Sequence, residues 1–143
     1  MKPDKVAILV KKAALEFDKI ANPLLEKYDL SSAQYKVIKY ICSEYENGIR
    51  LVDLERYFSM THPTAIGLVR NLENKGYAQY RPNPEHARSR LIYPSEKALA
   101  ISDELDKVGD ELEDMITRNL SEQEKKELVQ LLKKMLEIDN GSQ

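Results

Sequence analysis

The chain has 143 residues, of which 32% are charged and 42% hydrophobic, with a net charge of −2. That is the make-up of one globular domain able to bury a core. It contains no apolar run near the roughly 20 residues of a membrane span, and a single cysteine, which excludes an intrachain disulfide and a cysteine-rich zinc site.

In chain order, the spacing predicts a helix over 4–28, with Val6, Leu9, Ala13, Phe17, Ile20 and Leu24 on one stripe and a kink at Asn22-Pro23. The first five residues lead into this amphipathic pattern without the apolar core of a secretory signal, so a cytoplasmic protein is expected. Ser31 and Gln34 form a capping box, flanked by Leu30 and Tyr35 as a hydrophobic staple, for a helix to about residue 45 with Val37, Ile38, Ile41 and Tyr45 inward. A short helix follows over 51–58. Ser59-Met60 makes a tight turn, and Thr61 caps a helix, with Pro63 in its first turn, that runs to Lys75 and stops at Gly76.

Residues 77–81 and 89–93 read as two strands, joined by a loop over 82–88. Ser95 caps a long helix to about Arg118, whose Ile101, Leu105, Val108, Leu112 and Met115 form a narrow seam similar to that of a coiled coil. Ser121 and Glu124 open a last helix, lined by Leu128, Leu131 or Leu132, Met135 and Ile138, before a frayed tail over 139–143. The fold class is therefore mainly α with one β-hairpin. Two short helices across a tight turn, followed by that hairpin, suggest a winged helix-turn-helix.

Charge is unevenly spread. Residues 56–90 carry six basic side chains and two acidic ones, for a local net charge of +4, between a neutral first third and an acidic C-terminal part. Such an island suits an anionic partner, although a solvated surface also accommodates it. On the 61–75 helix, Ala65, Leu68, Val69 and Leu72 fall on one side at 100° per residue. The other side presents Pro63, Gly67, Arg70, Asn71 and Asn74, with Thr61, His62 and Thr64 at the N-terminal end. Asn and Arg can pair with base edges, and Thr hydroxyls beside helix-terminal amides can hold phosphates. Gly67 costs helix propensity that close approach to another surface would offset. Arg81, Arg88 and Arg90 stand on the wing, where an arginine at the tip can enter a narrow minor groove. They could equally serve to guard an edge strand.

These segments resemble the MarR family of bacterial transcriptional regulators. The resemblance is carried by residues 30–35 (LSSAQY), 68–77 (LVRNLENKGY), 81–92 (RPNPEHARSRLI) and 95–98 (SEKA). The helical flanks match in order and length rather than in motif. The resemblance implies a homodimer built by residues 1–28 and 95–143, with residues 29–94 as the DNA-binding unit. It implies a repressor on a palindromic operator, with Thr61, His62, Thr64, Gly67, Arg70 and Asn71 at the major groove and Arg88 and Arg90 at the minor groove or backbone. It also implies release by a small aromatic or phenolic effector, or by oxidation. Three departures stand out: His86 where the family has an aspartate two residues before the wing arginine, Arg50 in place of a Ser or Thr cap, and Ala98 where glycine is common.

Other chemistry finds little support. Cys42 reads as an inert buried thiol. His62 and His86 lack converging metal ligands, and no nucleophile motif or phosphate-binding glycine loop occurs, so no catalytic residue, cofactor or metal is expected. Tyr28, Tyr35, Tyr40 and Tyr45 could line an aromatic pocket or pack as core. The rival to a DNA reader is a winged-helix scaffold for protein interaction, which would want apolar anchors on the outer side of 61–75.

Overall fold

A computed structural model describes residues 4–138. The elements run α1 (Val6–Leu25), a 3-10 turn (Glu26–Tyr28), α2 (Ser32–Ser43), α3 (Leu51–Phe58), α4 (His62–Asn74), β1 (Ala78–Asn83), β2 (His86–Pro94), α5 (Glu96–Ile116) and α6 (Glu122–Met135). The tail at 139–143, expected to fray, lies outside the described residues.

Side chains at the helix starts behave as their spacing predicts. Ser31 accepts from the Gln34 N–H, and Gln34 Oε1 accepts from the Ser31 N–H at 3.0 Å. Ser121 and Glu124 repeat this reciprocal pair. At Arg50 the capping is half of that arrangement: the Asp53 carboxylate accepts from the Arg50 N–H at 2.9 Å and from its guanidinium at 3.1 Å. Arginine offers no oxygen for the helix amides, so this end of α3 is tied by one partner only. Pro23 sits inside α1, and the helix gives way to the 3-10 turn at Glu26, ending on Asp29 in a left-handed conformation.

The core lies where α2, α4, the hairpin, α5 and the end of α1 converge. Leu25, Ile38, Ile41, Leu54, Val69, Leu72, Ile92 and Leu105 are fully buried there. Of the α5 seam, Leu105, Val108 and Leu112 are buried within their own chain, against α1 and α2. The seam that looked like a coiled coil is thus chiefly intramolecular packing. Tyr45, expected inward on α2, lies beyond the helix end and is exposed.

The hairpin is longer than its sequence suggested. Pairing runs from Ala78 with Pro94 to Pro82 with Arg90, is then offset by a bulge, and closes on Asn83 with His86. Pro82 is tolerated because this is a two-stranded ribbon with an open edge. Ile49 adds a one-residue third strand through paired bonds with Ile92 at 3.0 and 2.7 Å. Gly48, just before it, has φ +72, and a Cβ there would lie 2.7 Å from the Tyr93 ring, so this joint requires glycine.

Among the described residues, two regions of the fold are left largely exposed. The first half of α1 is exposed throughout, and no residue of α6 is buried. Between them Val6, Leu9, Val10 and Ala13 face Leu128, Leu131, Leu132 and Met135 across an apolar groove of about 680 Å³. Val6 and Leu131 are each 64% exposed.

Candidate nucleic-acid interface

The geometry of α4 follows from its two ends. At the start, the Thr61 hydroxyl accepts from the Thr64 N–H at 3.4 Å and donates to the Thr64 hydroxyl at 3.0 Å. At the finish, Lys75 is anchored to Gln34 Oε1 (3.0 Å) and to the Asp29 carbonyl, and Lys97 donates to the Lys75 carbonyl at 2.8 Å. Gly76 follows at φ +82, and the Ser95 hydroxyl donates to its carbonyl at 2.6 Å. The Tyr77 hydroxyl donates to the Tyr28 carbonyl at 2.6 Å. The C-terminal end of α4 is therefore fixed to the α1–α2 junction and to the start of α5. The rest projects outward over a buried base of Ala65, Val69 and Leu72.

On that projecting side, Thr61, His62, Pro63, Thr64, Arg70, Asn71 and Asn74 are exposed. A Cβ built on Gly67 meets nothing within 4 Å, so the backbone at mid-helix is open to close approach. No large apolar side chain of residues 61–75 is exposed.

The wing stands beside α4. A cleft of about 410 Å³ separates them, walled by His62, Ile66, Arg70, Glu73, Tyr80 and Arg90, with Leu51. Tyr80 pairs with Ile92, so Arg90, two residues along, shares its face of the ribbon. The Arg90 guanidinium lies 4.1 Å over the Tyr80 ring, and Arg81 lies 4.4 Å over Tyr93 on the other face. Such stacking holds each cation in place while leaving its donors available. Burial pushes the Tyr80 hydroxyl up from the usual tyrosine value, Arg90 and Arg70 oppose this and Glu73 reinforces it, so the phenol remains a neutral donor. Arg88, nearer the tip, is exposed, as is His86. At the tip the Glu85 N–H donates to Asn83 Oδ1 at 3.0 Å, and the Ser89 hydroxyl to the His86 carbonyl at 3.3 Å.

Thr61, His62, Thr64, Arg70, Asn71, Arg88 and Arg90 are thus all exposed, Gly67 is half-buried with open space beside it, and the cleft brings His62, Arg70 and Arg90 together. Sequence reasoning missed Tyr80, which seats Arg90, and Glu55 of α3, whose Oε2 lies 3.0 Å from His62 Nδ1. The aromatic at 80 was a legible signal, because strand register puts it diagonal to Arg90. The Glu55 contact depends on the angle between two helices, which spacing along one helix does not give.

A second concavity, of about 350 Å³, lies between α2 and α3. Tyr35, Tyr40, Tyr57 and Phe58 line it with Lys36 and Lys39. The Tyr40 and Tyr57 rings are 4.7 Å apart and those of Tyr57 and Phe58 4.8 Å apart. Of the four tyrosines that could line a pocket or pack as core, Tyr35 and Tyr40 reach this cleft, whereas Tyr28 sits at the α1–α2 junction and Tyr45 points to Glu46. Cys42 is half-buried; burial pushes its thiol up, with a Ser102 hydrogen bond opposing, which keeps it protonated and a poor nucleophile. Among the described residues no cluster of three or more His, Cys, Asp or Glu could hold a metal ion, and no helix is long and apolar enough to cross a membrane.

No family model matches the chain. Known proteins do. The multiple antibiotic resistance protein MarR of Escherichia coli is 31% identical over 121 residues, covering 83% of this chain and 82% of the relative. The HTH-type transcriptional regulator SarZ of Staphylococcus haemolyticus is 32% identical over 113 residues, covering 78% and 74%. The crystal structure of a mutant E. coli MarR complexed with operator DNA superposes with a TM-score of 0.83 at 28% identity, covering 92% of this chain and 93% of that one. Helix order, wing and sequence agree over nearly the same span, and the chain belongs to the MarR family of winged helix-turn-helix transcriptional regulators.

Proposed function

We propose that this chain is a cytoplasmic, sequence-specific regulator that binds double-stranded DNA as a homodimer, acting as a repressor at a palindromic operator. The observation that carries the reading is the projecting side of α4, polar or small at every exposed position, beside stacked wing arginines. Thr61, His62, Thr64, Arg70 and Asn71 meet the major groove, with the open backbone at Gly67 allowing close approach. Arg88 and Arg90 meet the minor groove or its phosphates. The operator-bound state of the E. coli relative supports the same use of this surface. Residues 29–94 form the reading unit, and residues 1–28 with 95–143 the dimer frame. The exposed apolar faces of α1 and α6 are what a second copy would cover. A scaffold role finds no apolar anchor on α4.

A small aromatic effector, phenolic or carboxylate, fits the cleft of Tyr35, Tyr40, Tyr57 and Phe58. Its ring would stack there and an acid group would meet Lys36. Such a ligand changes DNA affinity only by favouring one separation of the two reading units over another.

Titration of the DNA flanking this protein's own gene, over a salt series, tests the proposal. Affinity should fall steeply as salt rises, because each neutralised phosphate releases counterions. Binding that ignores salt, or that is equal for unrelated duplexes, contradicts it. Arg88→Ala should cost about 1–3 kcal/mol of operator affinity; an unchanged affinity removes Arg88 from the interface. Gly67→Ala should act with opposite signs in two measurements. It should raise stability by about 1 kcal/mol from helix propensity, since the new methyl meets nothing. It should weaken operator binding, since the methyl occupies the approach space. A variant that gains stability and keeps full affinity shows that DNA does not come close at Gly67.

A further inference from the structure

His62 and Glu55 are brought together from different helices across the α3–α4 turn. His62 is the first residue of α4 and its side chain is 62% exposed, whereas that of Glu55 is only 23% exposed. Nδ1 of His62 lies 3.0 Å from Glu55 Oε2. An ionised carboxylate only accepts, so the ring nitrogen facing it must carry the hydrogen. In the neutral imidazole this leaves Nε2 as a bare acceptor. That nitrogen is on the exposed ring of a residue at the reading end of α4.

We infer that Glu55 sets the base preference of His62 by fixing its tautomer. The inference rests on the DNA-binding reading given above. Neutral His62 then presents an acceptor, which suits the exocyclic amine of adenine or cytosine in the major groove. Protonated His62 presents a donor from the same atom, which suits guanine, the thymine carbonyl or a phosphate. Glu55 is a positioning residue here; it touches no DNA. The other charged or titratable groups around this imidazole are Arg70 and Glu73 of α4 and Tyr80 and Arg90 of the wing, which share its cleft. Arg70 and Arg90 can only donate, so within that set His62 supplies the ring acceptor.

The test is selection of bound sequences from a duplex library by the full-length protein, at about pH 5.5 and about pH 8.5. The parent should select adenine or cytosine over guanine by at least about fivefold at one position per half-site at the higher pH, and lose or reverse that preference at the lower pH. Glu55→Gln should relax the preference at the higher pH, because a primary amide can accept from one tautomer or donate to the other. His62→Gln should abolish the pH dependence at that position alone. Neither substitution lies in the core, and thermal melting and dimer mass should match the parent. If Glu55→Gln selects the same base with the same pH dependence as the parent, the inference falls while the DNA reading stands. If the parent selects no sequence, both fall.

Discussion

Placing aspartate at both Leu128 and Leu132 of α6 should leave a folded monomer whose operator affinity is at least about a hundredfold lower, because the second reading unit is no longer held at high effective concentration. The reason lies in where α6 stands. None of its residues is buried in the single chain, and Leu128, Val129, Leu131, Leu132 and Met135 are all exposed. An amphipathic helix whose apolar side is exposed gains by covering it in water, since each covered side chain of this size is worth about 1.5–3 kcal/mol. Both substituted leucines line the groove against Val6, Leu9, Val10 and Ala13, so two carboxylates there would have to be desolvated for the interface to close. Sedimentation and circular dichroism read the outcome. A dimer of unchanged stability would show that α6 is not part of the frame, and a monomer with parental operator affinity would show that dimerisation does not serve DNA reading.

Leu72→Ala should destabilise the protein by about 2–5 kcal/mol, the range for truncating a fully buried leucine in a core that relaxes only partly. Leu72 is wholly excluded from solvent on the inner side of α4, and its carbonyl accepts from the Tyr77 N–H at 2.8 Å, where the chain turns into the hairpin. The same residue thus supports the reading helix and the root of the wing. Asn74→Ala, on the exposed side of the same helix, should change stability by no more than about 0.5 kcal/mol. Urea unfolding of the two variants measures the contrast directly. A loss at Leu72 as small as that at Asn74 would mean that α4 is not packed on this body.

Much of this architecture was readable from residue order. The helix starts at Ser31, Thr61, Ser95 and Ser121 announced themselves because a cap is local chemistry, satisfied within three or four residues. The two sides of α4 were readable for the same reason, since 100° per residue fixes which side chains share a face. The wing ends were not. Pro82 and Asn83 looked like loop chemistry, as Pro84 is, but a free ribbon tolerates proline at its edge and absorbs the misfit in a bulge. Ile49 as a third strand was hidden because one residue has no periodicity. The contacts that complete the reading surface were hidden more deeply. Arg90 over Tyr80 needs the register of two strands, and Glu55 against His62 needs a helix crossing angle. Among the tyrosines, Tyr57 joined the α2–α3 cleft instead of Tyr28 and Tyr45, because pockets are made by neighbours in space.

In the homodimer we propose, two copies of α4 are held by a rigid two-fold frame at a fixed separation. Affinity should therefore be measured for an operator whose half-sites are moved apart by about 5 bp, half a helical turn, and compared with that for a spacing of about 10 bp between centres. The rotated half-site should lose its reader, and affinity should fall to that of a single half-site. Equal affinity for the two operators would show that the two reading units are not fixed relative to each other.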